Sequence, residues 1–157
     1  LLAFDSYRIN GGQNKLLIIG KKKWWDNETE EVFKKLEFKN HVKFLGRVSD
    51  HEMINILASS KALCFVSFFE GFGLPILEAM KCETPVICSN TSAMPEVSGN
   101  ASILVNPNCH HEITNAMLKI DNSSNSEMIA KGILNLNRFD WCKSAEQIFE
   151  ILLKAKK

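Results

Sequence analysis

The stretch Ala62-Leu-Cys-Phe-Val-Ser-Phe-Phe-Glu-Gly-Phe-Gly-Leu-Pro-Ile-Leu-Glu78 changes character twice. Ala62 to Ser67 is an apolar run of the kind that forms a strand buried on both faces, as parallel sheets require. A glycine-rich turn follows, and a helix is expected from about Leu74 to Lys81. Pro75 fits its first turn, because the N–H that proline lacks has no partner within the helix at that position. Gly71 and Gly73 allow tight backbone conformations and leave room beside the chain. Strand, glycine turn and helix in this order are the βα unit of an α/β sheet.

The same unit has chemistry. A helix that begins at the carboxyl end of a central strand presents N–H groups and the positive end of its dipole, a ready phosphate site. Glu70 lies in the turn, and Glu78 lies about one turn inside the helix. A carboxylate does not bind phosphate but accepts hydrogen bonds from vicinal hydroxyls. Two carboxylates beside a phosphate pocket suit a ligand with hydroxyl-bearing sugars on both sides of a diphosphate, such as a nucleoside diphosphate sugar. Taken singly, either glutamate is equally a first-turn helix acid or a solvated surface acid.

Outward from this unit, strands and helices alternate. Upstream, Leu1, Leu2, Phe4 and Ile9 suggest one apolar helix face that ends near Asn10-Gly11-Gly12. Lys15 to Gly20 reads as a fully buried strand, Glu28 to Leu36 as a helix and Val42 to Leu45 as a strand. Ser49 or Asp50 caps a helix with Met53, Ile54 and Leu57 as its buried face. Downstream, Pro85 to Cys88 and Ala101 to Val105 read as strands. Helices are expected over about Glu112–Ile120, Glu127–Asn137 and Trp141–Lys156. This rhythm predicts α/β architecture with a doubly wound parallel sheet, all within one domain.

Composition narrows the function classes. Among 157 residues, 45% are apolar and 24% charged, with a net charge of +1, so no global field argues for nucleic acid or an acidic membrane. Lys21-Lys22-Lys23 reads as a solvated strand end. Five scattered cysteines without a CxxC pair fit a reducing compartment. No run approaches the ~20 apolar residues of a membrane span. Leu1-Leu2-Ala3-Phe4 opens without Met and without an N-cap, as a piece of a longer protein would.

Other features have plain readings. Cys109-His110-His111 lacks a second ligand pair at metal-site spacing and reads as capping and surface residues. His51 is a helix-start residue. Trp24-Trp25 anchors a loop, packs on a further domain or offers a sugar platform. Asn90-Thr91-Ser92 matches a glycosylation sequon but reads as a loop.

Phe69-Glu-Gly-Phe-Gly-Leu-Pro-Ile-Leu-Glu-Ala-Met80 resembles the E-x7-E signature of the retaining, GT-B-fold glycosyltransferases of family four. Leu16–Gly20, Val42–Ser49, Pro85–Asn90, Met94–Val97 and Phe139–Ala145 match in order. The resemblance implies a Rossmann-like fold, the C-terminal, donor-binding half of such an enzyme, covering 1–157. It implies that Glu70, the catalytic residue, contacts hydroxyls of the transferred sugar and that Glu78 holds the ribose hydroxyls. The backbone of Gly71, Phe72, Gly73 and Leu74 would face sugar and diphosphate. Gly46, Arg47 and Val48, with the chain after Gly20, would line the base pocket. Asn90-Thr91-Ser92 lies near the donor pocket in this family.

No metal and no cofactor are expected; the substrate would be a GDP- or UDP-linked hexose of mannose or glucose type, with the Asn90–Pro95 stretch tilting towards GDP-mannose. The family's diphosphate-clamping Arg and Lys come upstream of the helix at Leu1, and its acceptor domain is absent, so this piece alone should be inactive. The acceptor would be a glycan or lipid-linked glycan. The full-length protein would be cytoplasmic, with peripheral association at the inner face of the membrane.

Two rivals differ in class. A dinucleotide-binding oxidoreductase domain should show G-x-G-x-x-G after the first strand, where lysines and tryptophans stand instead. A non-catalytic nucleotide-sugar-binding module need not retain both glutamates.

Overall fold

The computed structural model describes residues 1–21 and 25–155. Eight helices and five strands alternate in these residues: α1 (Leu2–Ile9), β1 (Leu16–Ile19), α2 (Asn27–Lys35), β2 (Val42–Gly46), α3 (Asp50–Ala58), β3 (Leu63–Phe65), α4 (Leu74–Lys81), β4 (Val86–Ser89), α5 (Met94–Ser98), β5 (Ile103–Val105), α6 (His110–Asn122), α7 (Ser126–Leu136) and α8 (Trp141–Ala155). A short 3-10 turn, Lys39–His41, leads into β2. All strand pairs are parallel and helices flank them, so the α/β class read from the alternation holds.

The strands divide between two sheets rather than one. β1 pairs with β2, and β3, β4 and β5 pair in that order. In the first sheet Leu16 faces Val42 and Ile18 faces Phe44; the register then slips so that Ile19 faces Gly46. A cavity of about 360 Å³ is lined by Leu16, Leu17 and Ile19 of β1 and by Ala62, Leu63 and Cys64 around β3. The free edges of β1 and β3 therefore border a void instead of each other. This explains a correction to the expected burial. Leu17 is 40% exposed and β3 is half-buried, whereas β4, with neighbours on both sides, is wholly buried. It also makes β3 an edge strand of its sheet, not a central one.

The main core joins α4, β4 and α5 through Ile76, Ala79, Met80, Val86, Cys88 and Met94. A second cluster joins α1, β4, β5 and α6. α1 buries Ala3, Phe4 and Tyr7, while Leu2 and Ile9 lie outside, so the expected apolar face was rotated. The cause is α6: Thr114 Oγ1 donates to the Ala3 carbonyl at 3.0 Å, and the Tyr7 hydroxyl donates to Asp121. Asn14 bonds both the Tyr7 hydroxyl and Asp121, which joins the chain after α1 to the end of α6.

Caps account for the helix starts. Asp26 accepts the Thr29 N–H, and Ser49 forms a reciprocal capping box with Glu52. In α3, Leu57 is buried but Ile54 is 56% exposed; Met53 packs against the core as expected. Trp25 acts as a loop anchor, edge-on to both Phe33 and Phe44. Its neighbour Trp24 lies outside the described residues, as do Lys22 and Lys23 of the basic run and Lys156 at the expected end of α8. α8 has no buried residue and exposes Trp141, Ile148, Phe149 and Leu152.

Candidate active site

The segment from β3 to α4 folds as the glycines and proline dictate. Gly73 is the N-cap of α4, buried, with φ at +103°, in the left-handed region where a side chain is strained. A Cβ there would meet Ile76 Cδ1 at 3.3 Å. Gly71 is different: its φ is not in that region, and a Cβ would meet nothing within 4 Å. The turn is thus open at Gly71 and closed against the core at Gly73.

The helix end offers fewer donors than a helix start usually does. Pro75 has no N–H, and the Ile76 N–H turns back onto the Gly73 carbonyl at 3.0 Å. Leu74 is left as the first-turn residue with an outward N–H among the described residues. Any anion here would rest on that amide, the turn before it and the dipole of α4.

Glu70 is half-buried in the turn, and Glu78 is exposed on α4. Around them Phe68, Phe69, Phe72 and Leu74 expose large apolar surface, Phe69 at 80%. Phe72 is not loose, since its ring stands edge-on to Phe139 with centroids 5.7 Å apart. Such a setting, two carboxylates with exposed aromatic and aliphatic surface, can accept hydroxyl hydrogen bonds on one side and pack a sugar or base face on the other.

Hydroxyls from the last residue of β4 and the loop after it reach this turn. Ser89 Oγ donates to the Ser67 carbonyl at 2.6 Å, and Thr91 Oγ1 donates to the Phe68 carbonyl at 3.1 Å. The Glu70 N–H donates to Ser92 Oγ at 3.1 Å. Asn90-Thr91-Ser92, read from sequence as a loop, therefore lies against the Glu70 turn. The helix α5 that follows was not foreseen, although Pro95 in its first turn was a signal for it.

Gly46, Arg47 and Val48 sit at the carboxyl end of β2, in the other sheet. Gly46 has φ at +69°, and its carbonyl accepts the Gly20 N–H at 2.7 Å, so the exits of β1 and β2 are stitched together. The structure thus gathers Glu70 to Leu74 and Glu78 on one βα unit and places Gly46 to Val48 on a separate one. The cavity between the sheets contains none of these residues.

The remaining candidates take simple places. Cys109 precedes α6, and His111 Nδ1 and His51 Nδ1 each contact an Asn one helical turn on. Among the described residues, no three His, Cys, Asp or Glu side chains are grouped to hold a metal ion. None of their helices is long and apolar enough to cross a membrane.

With this geometry in hand, known proteins can be compared. The family model described as glycosyl transferases group 1 matches residues 1–136. O-antigen chain mannosyltransferase B of Escherichia coli is 34% identical over 128 residues, 80% of this chain and 34% of its own length. O-antigen chain mannosyltransferase RfbU of Salmonella typhimurium is 38% identical over 86 residues, 55% of this chain and 24% of its own. The chain spans about a third of the length of the first of these relatives. Among solved structures, Anabaena HepE in complex with UDP and glucose superposes with a TM-score of 0.79 at 24% identity, over 96% of this chain and 43% of that one. The fold is that of these glycosyltransferases, and the chain belongs to the glycosyl transferases group 1 family.

Proposed function

We propose that this chain is the donor-binding part of a retaining glycosyltransferase that moves a hexose from a nucleoside diphosphate sugar to a glycan or lipid-linked acceptor. The observation that carries this reading is the β3-to-α4 unit, with Glu70 in the turn, the left-handed Gly73 capping α4, and Glu78 on the helix. Family membership supports the reaction class, and the mannosyltransferase relatives favour mannose as the sugar; the Asn90–Pro95 stretch tilts the carrier towards GDP. A solved neighbour that holds UDP and glucose supports a nucleotide sugar in general.

In this reading Glu70 is the catalytic residue and accepts hydrogen bonds from hydroxyls of the transferred sugar. Glu78 accepts from the ribose. Leu74 N–H and the dipole of α4 meet the diphosphate, Gly71 leaves its approach open, and the backbone of Phe72 and Gly73 faces the sugar and diphosphate. Gly46, Arg47 and Val48 border the base. Preorganised N–H groups and dipoles stabilise charge on a departing diphosphate without reorganisation, which takes the place of a cation. The full-length protein would work in the cytoplasm at the inner face of the membrane, and the isolated chain would not turn over.

Titrating the protein with GDP, UDP and NAD tests the reading, with thermal stabilisation as the readout. A nucleoside diphosphate should raise the melting temperature and NAD should not; the opposite result would overturn the donor-binding role. In the full-length enzyme Glu78→Ala should weaken donor binding and Glu70→Ala should mainly lower turnover. Unchanged kinetics in both would remove the roles given to these residues.

A further inference from the structure

We propose that Ser92 is a positioning residue for Glu70, the last rung of a hydroxyl clasp that carries the pairing of β3 and β4 beyond the end of their backbone ladder. The inference rests on the donor-site reading above. Backbone pairing between these strands ends at Phe65 and Cys88. Past that point the two chains remain joined by side chains. Ser89 donates to the Ser67 carbonyl, Thr91 donates to the Phe68 carbonyl, and Ser92 accepts the Glu70 N–H. Hydroxyls at three of four successive positions thus meet three of four successive backbone groups on the other side.

The rungs differ in kind. Ser89 is fully buried and its bond is short, at 2.6 Å, so it belongs to the core. Ser92 is exposed and holds φ at +53°. A non-glycine residue in this region is uncommon and strained. Glycine would adopt the same backbone without that cost but would leave the Glu70 amide without its acceptor. The strained serine exchanges some stability for a fixed Glu70 backbone, a pattern found where backbone strain serves a site. Its bond is to the residue whose carboxylate must meet the sugar. Displacing a reacting group by about 1 Å can cost on the order of a hundredfold in rate. Glu78, which stands on α4, has no bond to the clasp among the described residues.

Ser92→Gly separates this role from a merely structural one. The variant of the full-length enzyme should melt at or above the wild-type temperature, because the φ strain is relieved. Its kcat for releasing nucleoside diphosphate from GDP-mannose or UDP-glucose, whichever the wild type consumes with water as acceptor, should fall about tenfold or more. Affinity for the free nucleoside diphosphate should stay within twofold. Hydrogen exchange over Ser67 to Phe72 should quicken. Glu70→Gln is measured in parallel. If Glu70→Gln is slow while Ser92→Gly keeps the wild-type kcat, the clasp is overturned and the donor-site reading stands. If Glu70→Gln itself keeps the wild-type rate, the role of Glu70 falls, and that of Ser92 with it. A loss of nucleotide affinity as large as the loss of kcat would also overturn the proposal, since Ser92 would then shape the whole pocket.

Discussion

Phe72 and Phe139 meet edge to face, with ring centroids 5.7 Å apart and planes at 88°, although they are far apart along the chain. The Arg138 guanidinium lies 5.3 Å from the Phe139 centroid, and its Nη1 donates to the Glu96 carbonyl and to Asn135 Oδ1. The site turn is thereby tied to α5 and to the end of α7. Phe139→Ala should destabilise the protein by about 1–3 kcal/mol, below the ~3–5 kcal/mol of a fully buried Phe because the ring is only half-buried. A double-mutant cycle with Phe72→Ala in urea unfolding should return a coupling of about 0.5–1.5 kcal/mol, the usual worth of such a pair. Additive losses would mean that the rings touch without holding the turn.

The two glycines of the turn should respond differently to the same change. Gly73→Ala forces a methyl group into the left-handed region and towards Ile76, which is fully buried. The cost should be about 1–3 kcal/mol. Gly71→Ala meets open space and ordinary backbone, so its stability should lie within about 0.5 kcal/mol of wild type. Its effect should appear instead in nucleotide affinity, because the added methyl group narrows the approach to the site. Chemical denaturation together with GDP and UDP titration separates the two, and equal destabilisation would contradict the geometry.

These local features were legible in the sequence where one residue type settles the backbone. Pro75, with the glycines before it, placed α4, and Ser49 or Asp50 as a cap placed the start of α3. Burial was less legible, because a run such as Leu16-Leu-Ile-Ile19 shows that a strand can be covered but not what covers it. Leu17 faces the void between the sheets for that reason. The face of α1 was missed because Tyr7, which is amphipathic, is buried through its bond to Asp121, far away in sequence. The clasp on Glu70 was hidden for a similar cause: Ser89, Thr91 and Ser92 are ordinary loop residues until β3 and β4 are paired.

Thr84 offers a test of the buried polar structure beneath α4. Its hydroxyl donates to the Leu57 carbonyl at 2.7 Å, which links the chain entering β4 to the end of α3. Thr84→Val keeps the shape and removes one of that carbonyl's two donors, the Ser60 N–H remaining at 2.9 Å. The loss of one net hydrogen bond costs about 0.5–1.5 kcal/mol, and Thr84→Ser, which keeps the hydroxyl, should recover most of it. Unfolding midpoints of the two variants check this; if Val and Ser are equally stable, the bond has no net worth.

Cys64 gives the fold a dependence on alkaline pH. Burial pushes its thiol up from the usual 9.0 to about 11, and the nearby Cys88 adds to the effect. The folded state therefore keeps the proton at pH values where the unfolded chain has lost it. The stability that this provides is complete below about pH 9. It declines by about 1.4 kcal/mol per pH unit as pH rises towards 11, and levels off above the folded value. Burial also raises the phenol of Tyr7, with its bond to Asp121 acting in the same direction, so part of the alkaline loss belongs to that group. Cys64→Ala isolates the thiol: it removes the ionisation while its own packing cost does not vary with pH. Unfolding free energies measured from pH 8 to 11 should fall less steeply in Cys64→Ala than in wild type, with the two curves converging as pH rises. Parallel curves across that window would show that the Cys64 thiol does not titrate on unfolding and that other groups raised by burial, Tyr7 and Cys88 among them, account for the loss.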